Sequence, residues 1–232
     1  MTRLNCRAAF FDLDGTLFHS LEAYRSAFNH VLEQFGLKPV ERAAFVRYFR
    51  HMENGGRFPE ILTQLTPDGA EETFLRRFLG AYREVFPGMD RAYTVMDDAA
   101  PAVLRCVSAS LPVAVITARR DPVPTRALLE RHGLVPFIAL VVHPREGVAV
   151  KPAPDQLIEA ARQLDVPAEA CVMVGDSPRD IRAGRAAGAR TIGVTPPGGA
   201  WQHDDLHRES PDLVVDRLAE VPRALGLGLG ER

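Results

Sequence analysis

The feature that most constrains the fold is an alternation of short apolar segments with segments of helical spacing. Strands without an in-and-out alternation of polar residues are typical of a parallel sheet that helices cover on both faces. Ala8–Phe11 has the same apolar character near the start of the chain. We therefore predict an α/β fold with a Rossmann-like parallel sheet. The later apolar segments are Pro112–Thr117, Phe137–Val142, Ala170–Asp176, Thr191–Thr195 and Leu213–Val215.

Residues 18–92 interrupt this alternation. Apolar residues follow helical spacing from Ser20, and two further helical patterns cover Glu41–Met52 and Glu71–Phe86 around a turn signal at Glu53–Pro59. We predict an inserted α-helical cap domain over residues 18–92, with a core domain formed by residues 1–17 and 93–232. We expect the aromatic residues of the cap to pack internally.

Composition limits the partners and the compartment. The 30 acidic and 28 basic residues nearly balance, so the charge favours neither nucleic acid nor an acidic membrane as partner. The three cysteines are widely spaced and suggest buried thiols in a reducing compartment. Asp12 and Asp14 interrupt the first apolar run too early for a secretory signal. We predict a cytoplasmic protein.

Two carboxylates follow the first strand directly. Asp12 and Asp14 would repel each other by about 4 kcal/mol at a separation of about 4 Å and an effective dielectric constant near 20. A simple Asp-Gly turn is one interpretation, while a calcium loop fails because Leu17 and Ala23 occupy positions that need Gly and Glu. A Mg²⁺ ion at the strand end would offset the repulsion. One carboxylate could then act as a nucleophile and the other as a proton donor and acceptor.

A third carboxylate ends another predicted strand. Ser177 is a good N-cap, Pro178 suits the first helical position, and Asp180 suits a capping box. This structural explanation does not account for Asp176, which follows the apolar strand directly. We predict Asp176 as a metal ligand, with Ser177 and Asp180 in supporting roles.

Groups that could hold a phosphate follow two other strands. The Thr117 hydroxyl and the backbone N–H of Ala118 could bind a phosphoryl oxygen, and Arg119 or Arg120 could add positive charge. Lys151 precedes a proline, which keeps it extended at the end of a loop. Beside several acids and a phosphate, Lys151 would be the counter-charge, although a single lysine is usually a surface residue.

Four other residues are weaker candidates. His203 and His207 have the i, i+4 spacing of a zinc motif, but Asp204 stands where a zincin has Glu, so we interpret them as surface histidines. His19 and Arg57 could contact a substrate from the cap side, although a structural role is the simpler interpretation for each.

Taken in order, four motifs resemble those of the haloacid dehalogenase superfamily. They are Asp12 to Thr16, Thr117, Lys151, and Gly175 to Asp180. The chain looks most similar to the phosphoglycolate-phosphatase-like branch, which carries a helical cap after the first motif. The resemblance covers nearly the whole chain.

The resemblance implies a reaction through an aspartyl phosphate. Asp12 would attack phosphorus, and Asp14 would protonate the leaving alcohol and then activate water. Thr117 would hold a phosphoryl oxygen, and Lys151 would neutralise charge. An acid at position 14 is typical of the members that act on phosphate esters.

The resemblance also implies a Mg²⁺ cofactor. The ion would be bound by Asp12, by the backbone carbonyl of Asp14 and by Asp176, with Asp180 orienting the group. The expected substrate is a small phosphorylated metabolite: a phosphoglycolate-like ester, a sugar phosphate or a nucleotide.

Two departures from the family pattern bear on the substrate. The family often has Asp where His19 stands, and Asn-Lys where this chain has Ala118-Arg119. We expect neither departure to touch the chemistry.

Two other functions remain open from the sequence. A phosphomutase similar to β-phosphoglucomutase would use the same aspartyl phosphate, although such members usually carry a bulkier residue at position 16. A non-catalytic module that binds phosphate and Mg²⁺ would be free to lose Asp12 or Asp14. The chain could act as a monomer or as a homodimer.

Overall fold

The computed structural model describes residues 4–66, 71–197 and 199–228. The chain forms two compact units. One comprises the chain up to His19 and from Met96 onward, and the other is Ser20–Val95.

The first unit is built on a parallel sheet, which confirms the predicted fold class. The described strands of the chain are β1 (Ala8–Asp12), β2 (Phe18–His19), β3 (Val95–Met96), β4 (Val113–Ile116), β5 (Leu140–Val142), β6 (Cys171–Gly175), β7 (Arg190–Val194) and β8 (Leu213–Val215). The strands of the parallel sheet lie in the order β5-β4-β1-β6-β7-β8, and each pairs in parallel with its neighbours.

The central strand shows why these segments lack polar alternation. Ala8 and Phe10 belong to one buried apolar cluster, and Ala9 and Phe11 to another. Successive side chains of a strand point to opposite faces, so each face of the sheet carries its own core. Each Å² of apolar surface that is removed from water stabilises the fold by about 25 cal/mol. Because both faces of this strand are buried, apolar residues are favoured at every position.

Helices accompany both units. None of the described helices is long and apolar enough to cross a membrane. The second unit contains α1 (Leu21–Gln34), α2 (Arg42–Glu53), α3 (Phe58–Leu65) and α4 (Glu72–Tyr93), and the first contains α5 (Ala100–Ser108), α6 (Pro122–Arg131), α7 (Asp155–Gln163), α8 (Pro178–Ala186), α9 (Ala200–Arg208) and α10 (Val221–Ala224).

The helical unit differs from the prediction at two prolines. The predicted turn over Glu53–Pro59 is wrong at its end, because α3 begins at Phe58 and Pro59 lies in its first turn, where a missing N–H costs nothing. The predicted end of α4 at Phe86 is also wrong, because the helix continues through Pro87 to Tyr93. A single internal proline removes one backbone hydrogen bond, and the long flanking turns maintain the helix.

The aromatic residues of this unit pack on one another, which confirms the expectation of internal packing. The Phe28 ring lies 5.7 Å from Phe45, 5.9 Å from Phe58 and 5.5 Å from Phe78, between ring centroids. Phe28, Phe45 and Phe78 are buried. Such offset and edge-on pairs add to the stabilisation from burial.

The register of the sheet brings three strand ends together. Asp12 is aligned with Ile116 on β4, and Phe11 is aligned with Val174 on β6. The residues that follow these strands therefore share one edge of the sheet. Ligands of open α/β sheets bind outside this carboxyl edge.

Candidate active site

A buried lysine links two of the carboxylates at the carboxyl edge. The Nζ atom of Lys151 donates to Asp12 Oδ1 at 2.5 Å, to Asp180 Oδ1 at 2.6 Å and to the backbone oxygen of Ile116 at 3.0 Å. Lys151 is only 4% exposed. All three hydrogens of the ammonium group are therefore used, and the charge is held between two acids.

Burial and charge pull the pKa of Asp12 in opposite directions. Burial raises the pKa of Asp12 to about 8. The positive charge of Lys151 lowers this pKa, while the negative charges of Asp180 and Asp14 raise it further. Burial alone would lower the pKa of Lys151, but the charges and hydrogen bonds of Asp12 and Asp180 raise it above its usual value. Lys151 is therefore held as a cation.

Asp180 is held at both carboxylate oxygens. Its Oδ2 accepts hydrogen bonds from the backbone N of Ser177 at 3.1 Å and from Ser177 Oγ at 2.9 Å, while Oδ1 accepts from Lys151. The acid thus caps the start of α8 and orients the lysine. A Cβ on Gly175 would lie 2.3 Å from Asp180 Cγ, so this approach depends on a glycine at the end of β6.

Asp176 lies against the loop that follows β1. Thr16 Oγ1 donates to Asp176 Oδ1 at 3.2 Å. Gly15 has a φ of +104° and passes so close to Asp176 that an added Cβ would clash with its carboxylate. The loop and the carboxylate therefore fit only with glycine at position 15.

Three of these acids could hold a metal ion. Ligand atoms of Asp12, Asp176 and Asp180 lie within 4.8 Å of one another, and all three residues are buried. Carboxylate oxygens in such a group suit a hard cation such as Mg²⁺. Asp180 accepts hydrogen bonds at both of its carboxylate oxygens.

Thr117 lies at the end of β4, fully buried. Its backbone N donates to Val142 O at 3.2 Å, and its Oγ1 accepts from the backbone N of Arg119 at 3.1 Å. The hydroxyl hydrogen is thereby left to donate elsewhere. The adjacent residue, Ala118, is exposed.

Arg119 contacts Asp14, the acid that follows β1 by two residues. Its Nε donates to Asp14 Oδ2 at 2.8 Å and its Nη2 to Asp14 Oδ1 at 2.6 Å. The Ala118-Arg119 departure therefore reaches one of the two acids proposed for the chemistry, and its effect on the reaction stays a prediction. The reach of a long side chain between loops on neighbouring strands has no signature in the sequence.

The weaker candidates lie in separate places. His19 Nε2 lies 3.1 Å from Asp97 Oδ2 in the first unit. Arg57, in the second unit, is largely exposed and donates to Glu60 Oε1 at 3.0 Å. Contact of either with a substrate stays a prediction.

The two histidines of the zinc-like spacing lie on α9. His203 and His207 bring their Nε2 atoms to 3.2 Å from each other. Among the described residues, the only group of three or more possible ligand side chains is the one formed by Asp12, Asp176 and Asp180.

Two supporting residues were not predicted from the sequence. Gln156 Nε2 donates to the backbone oxygens of Thr117 at 2.8 Å and Val142 at 2.9 Å, and Gln156 Oε1 accepts from the Lys151 backbone N at 3.3 Å. Arg179 Nε donates to the Lys151 backbone oxygen at 3.0 Å. Each acts through backbone atoms of other loops, which a sequence pattern does not reveal.

Comparisons with known proteins found matches over most of the chain. Residues 6–188 match the model of the haloacid dehalogenase-like hydrolase family. A phosphoglycolate phosphatase from Neisseria meningitidis is 32% identical over 222 residues, which cover 93% of this chain and 92% of the relative. An N-acetylmuramic acid 6-phosphate phosphatase from Pseudomonas aeruginosa is 28% identical, with 95% of each chain covered.

A solved structure is similar over nearly the whole chain. It is a hydrolase of the same family from Deinococcus radiodurans with bound phosphate and sodium. The two chains are 27% identical with a TM-score of 0.75, and 96% of each is covered.

Proposed function

The chain belongs to the haloacid dehalogenase-like hydrolases, and on that premise we propose that it is a Mg²⁺-dependent phosphatase that hydrolyses a small phosphomonoester through an aspartyl phosphate. The observation that carries the proposal is Lys151, which is buried between Asp12 and Asp180 at the carboxyl edge of the sheet. A fixed cation beside a strand-end carboxylate suits the transfer of an anionic group.

Asp12 is the proposed nucleophile. In the first step, an oxygen of Asp12 forms a bond to phosphorus as the bond to the ester oxygen breaks. Lys151 is 2.5 Å from Asp12 Oδ1 and neutralises charge as the phosphoryl group approaches. In-line phosphoryl transfer depends on this kind of positioning and charge compensation.

Asp14 is the proposed proton donor and acceptor. It gives its proton to the leaving alcohol in the first step. In the second step it takes a proton from water while the water oxygen attacks phosphorus. The bond between phosphorus and the Asp12 oxygen then breaks, which releases phosphate and restores the carboxylate of Asp12. Asp14 follows β1 by two residues and its side chain is 14% exposed, so solvent can supply that water.

The remaining groups bind the phosphoryl oxygens and the ion. The Thr117 hydroxyl and the Ala118 backbone N–H would hold one oxygen, since Thr117 Oγ1 accepts from Arg119 N and keeps its own hydrogen to donate. Asp12, Asp176 and the backbone carbonyl of Asp14 would hold Mg²⁺. When bound, the ion supplies positive charge to the transferring phosphoryl group.

Phosphate release from a panel of phosphomonoesters tests the proposal. The panel includes phosphoglycolate, sugar phosphates and nucleotides, and each ester is assayed with Mg²⁺ and with EDTA. We expect release that requires Mg²⁺ and is lost in Asp12→Asn, which keeps the shape of the side chain but not its nucleophilic oxygen. Asp98→Asn, at an exposed aspartate, is the matched control and should retain activity.

Two results would contradict the proposal. Release that persists in Asp12→Asn would exclude an aspartyl phosphate on that residue. Absence of release from every ester, in a folded protein that binds Mg²⁺, would exclude a general phosphatase. Transfer of phosphate between two positions of a sugar phosphate without net release would indicate a mutase instead.

A further inference from the structure

A two-point contact joins Arg119 to Asp14, apart from the hydrogen bonds that Lys151 gives to Asp12 and Asp180. Arg119 Nε and Nη2 each donate to a different oxygen of the carboxylate, at 2.8 Å and 2.6 Å. The two side chains are 8% and 14% exposed. A two-point contact between a planar guanidinium and a planar carboxylate fixes the orientation of the acid as well as its distance.

The backbone that carries this guanidinium is itself held on both sides. Arg119 N donates to Thr117 Oγ1 at 3.1 Å, and Arg119 O accepts from His143 Nδ1 at 2.8 Å. Thr117 follows β4, and His143 follows β5. The position of the Asp14 carboxyl is therefore set by two neighbouring strands as well as by its own loop.

We propose that Arg119 is a positioning residue, which holds the Asp14 carboxyl where it can pass a proton to the leaving alcohol. This inference rests on the proposed function. Proton transfer needs a heavy-atom distance of about 2.6–3.2 Å, so a carboxyl that turns away loses its effect. An arginine that donates to both oxygens prevents that rotation.

The leaving group distinguishes this role from a direct role on the phosphoryl group. An alkoxide is a strong base and needs a proton as it departs, whereas a nitrophenolate departs without one. Loss of a residue that positions Asp14 therefore slows alkyl and weakly acidic aryl esters most. Loss of a residue that binds phosphoryl oxygens slows all esters of similar shape to the same degree.

The test measures kcat/KM for a series of aryl phosphates that differ in the acidity of the phenol, together with one alkyl phosphate. This constant covers only the steps up to departure of the alcohol, so the later hydrolysis of the aspartyl phosphate does not mask the effect. The variants are Arg119→Met, Arg119→Lys and, as the reference for a lost proton donor, Asp14→Asn. Arg126→Met, at an exposed arginine on α6, is the matched control.

We expect Arg119→Met to lower kcat/KM about 10²-fold for the alkyl ester, which is the size of effect that misplacement of a catalytic group produces. The loss should shrink along the series to less than about threefold for p-nitrophenyl phosphate, as in Asp14→Asn. Arg119→Lys keeps the charge but not the two-point grip and should fall between. Arg126→Met should leave kcat/KM for every ester unchanged.

His143→Phe provides a second route to the same contact if Arg119→Met does not fold. It removes the donor to the Arg119 backbone oxygen and should reproduce the same dependence on the leaving group at smaller size. Thermal unfolding of each variant shows which ones fold.

Equal loss on all esters, or no loss on any, would overturn the inference. If Asp14→Asn shows the steep dependence and folded Arg119→Met or His143→Phe does not, only the role of Arg119 fails. If Asp14→Asn itself is insensitive to the leaving group, the proposed proton donor fails, and the role of Arg119 fails with it.

Discussion

Gly15 lies so close to Asp176 that a Cβ on Gly15 would stand 2.2 Å from Asp176 Oδ2. The loop after β1 and the carboxylate that follows β6 can therefore approach this closely only because residue 15 has no Cβ. We predict that Gly15→Ala displaces the Asp176 carboxylate and abolishes Mg²⁺-dependent phosphate release. Assays of phosphate release over a range of Mg²⁺ concentrations measure this, and we expect that excess Mg²⁺ does not restore full activity.

Gly133→Ala is the control for backbone strain in this experiment. Gly133 has a φ of +67°, and nothing lies within 4 Å of the Cβ it would gain. Both variants carry the cost of a left-handed backbone, about 1–2 kcal/mol, but only Gly15→Ala collides with a carboxylate. Equal activity in the two variants would show that the Asp176 contact is unimportant.

Lys151→Met should destabilise the metal-free protein by about 3–5 kcal/mol, because it leaves two buried acids without their cation. Asp12 Oδ1 and Asp180 Oδ1 would then each lose the hydrogen bond that Nζ donates. Urea unfolding in EDTA measures the loss. For Lys38→Met, at the other lysine of the chain, which is exposed, the free energy of unfolding should stay within about 0.5 kcal/mol of the native value. An unchanged urea midpoint for Lys151→Met would contradict the assignment of Lys151 as the buried counter-charge.

The stability of the metal-free protein should fall as pH rises towards 8. Burial raises the pKa of Asp12 to about 8, far above that of an unfolded aspartate, so the folded state keeps a proton that the unfolded state has lost. The state that holds more protons is disfavoured as pH rises, by at most about 1.4 kcal/mol per pH unit for one proton. Urea unfolding in EDTA between about pH 6 and pH 8 measures the slope. Asp12→Asn should flatten it, and an equal slope in both proteins would contradict the raised pKa.

The residues at the strand ends were predictable because a polar residue ends or directly follows each apolar run of the sequence. Asp12, Thr117 and Asp176 each follow or end a fully apolar run, and parallel strands bring such positions to one edge. The position of Lys151 was not predictable from an apolar run, since this residue lies in a loop before α7. Its position beside the acids was implied by the family resemblance and not by any local pattern.

The contacts between loops were not predictable in the same way. Arg119 reaches Asp14 across 105 positions of chain, and the guanidinium could equally have remained in solvent. Helix α3 was missed because Pro59 reads as a turn signal whether it lies in a loop or in a first helical turn. Both cases depend on where neighbouring backbone lies, which follows from the fold and not from the segment itself.

Asp176→Asn should remove most of the stabilisation that Mg²⁺ gives to the folded protein. An ion that binds only the folded state stabilises it by about 2.7 kcal/mol at 100 times its dissociation constant. An amide offers a metal a neutral oxygen in place of a charged one, so affinity should fall. The shift in melting temperature on adding Mg²⁺ measures this without any substrate. Asp98→Asn should keep the full shift, and an equal shift in Asp176→Asn would exclude Asp176 as a ligand.

Gln156→Leu should lower both the stability and kcat, although Gln156 has no proposed contact with substrate. The side chain is fully buried, and its amide holds the backbone oxygens of Thr117 and Val142 and the backbone N of Lys151. Leucine fills a similar volume but removes the partner of the Thr117 oxygen and of the Lys151 N, which costs about 1–3 kcal/mol for each group left unsatisfied. The Val142 oxygen keeps the hydrogen bond from Thr117 N. Urea unfolding measures the first effect and steady-state phosphate release the second.

Gln156→Glu separates packing from hydrogen bonding in the same position. It can still accept from Lys151 N, but an ionised carboxylate can no longer donate to the two carbonyl oxygens. If the amide holds Thr117 in place at the end of β4, Gln156→Glu should lose activity as Gln156→Leu does. KM should rise in both variants because Thr117 is displaced. Native activity in both variants would show that β4 and β5 hold Thr117 without the amide, since the Thr117 N to Val142 O bond of 3.2 Å would then suffice.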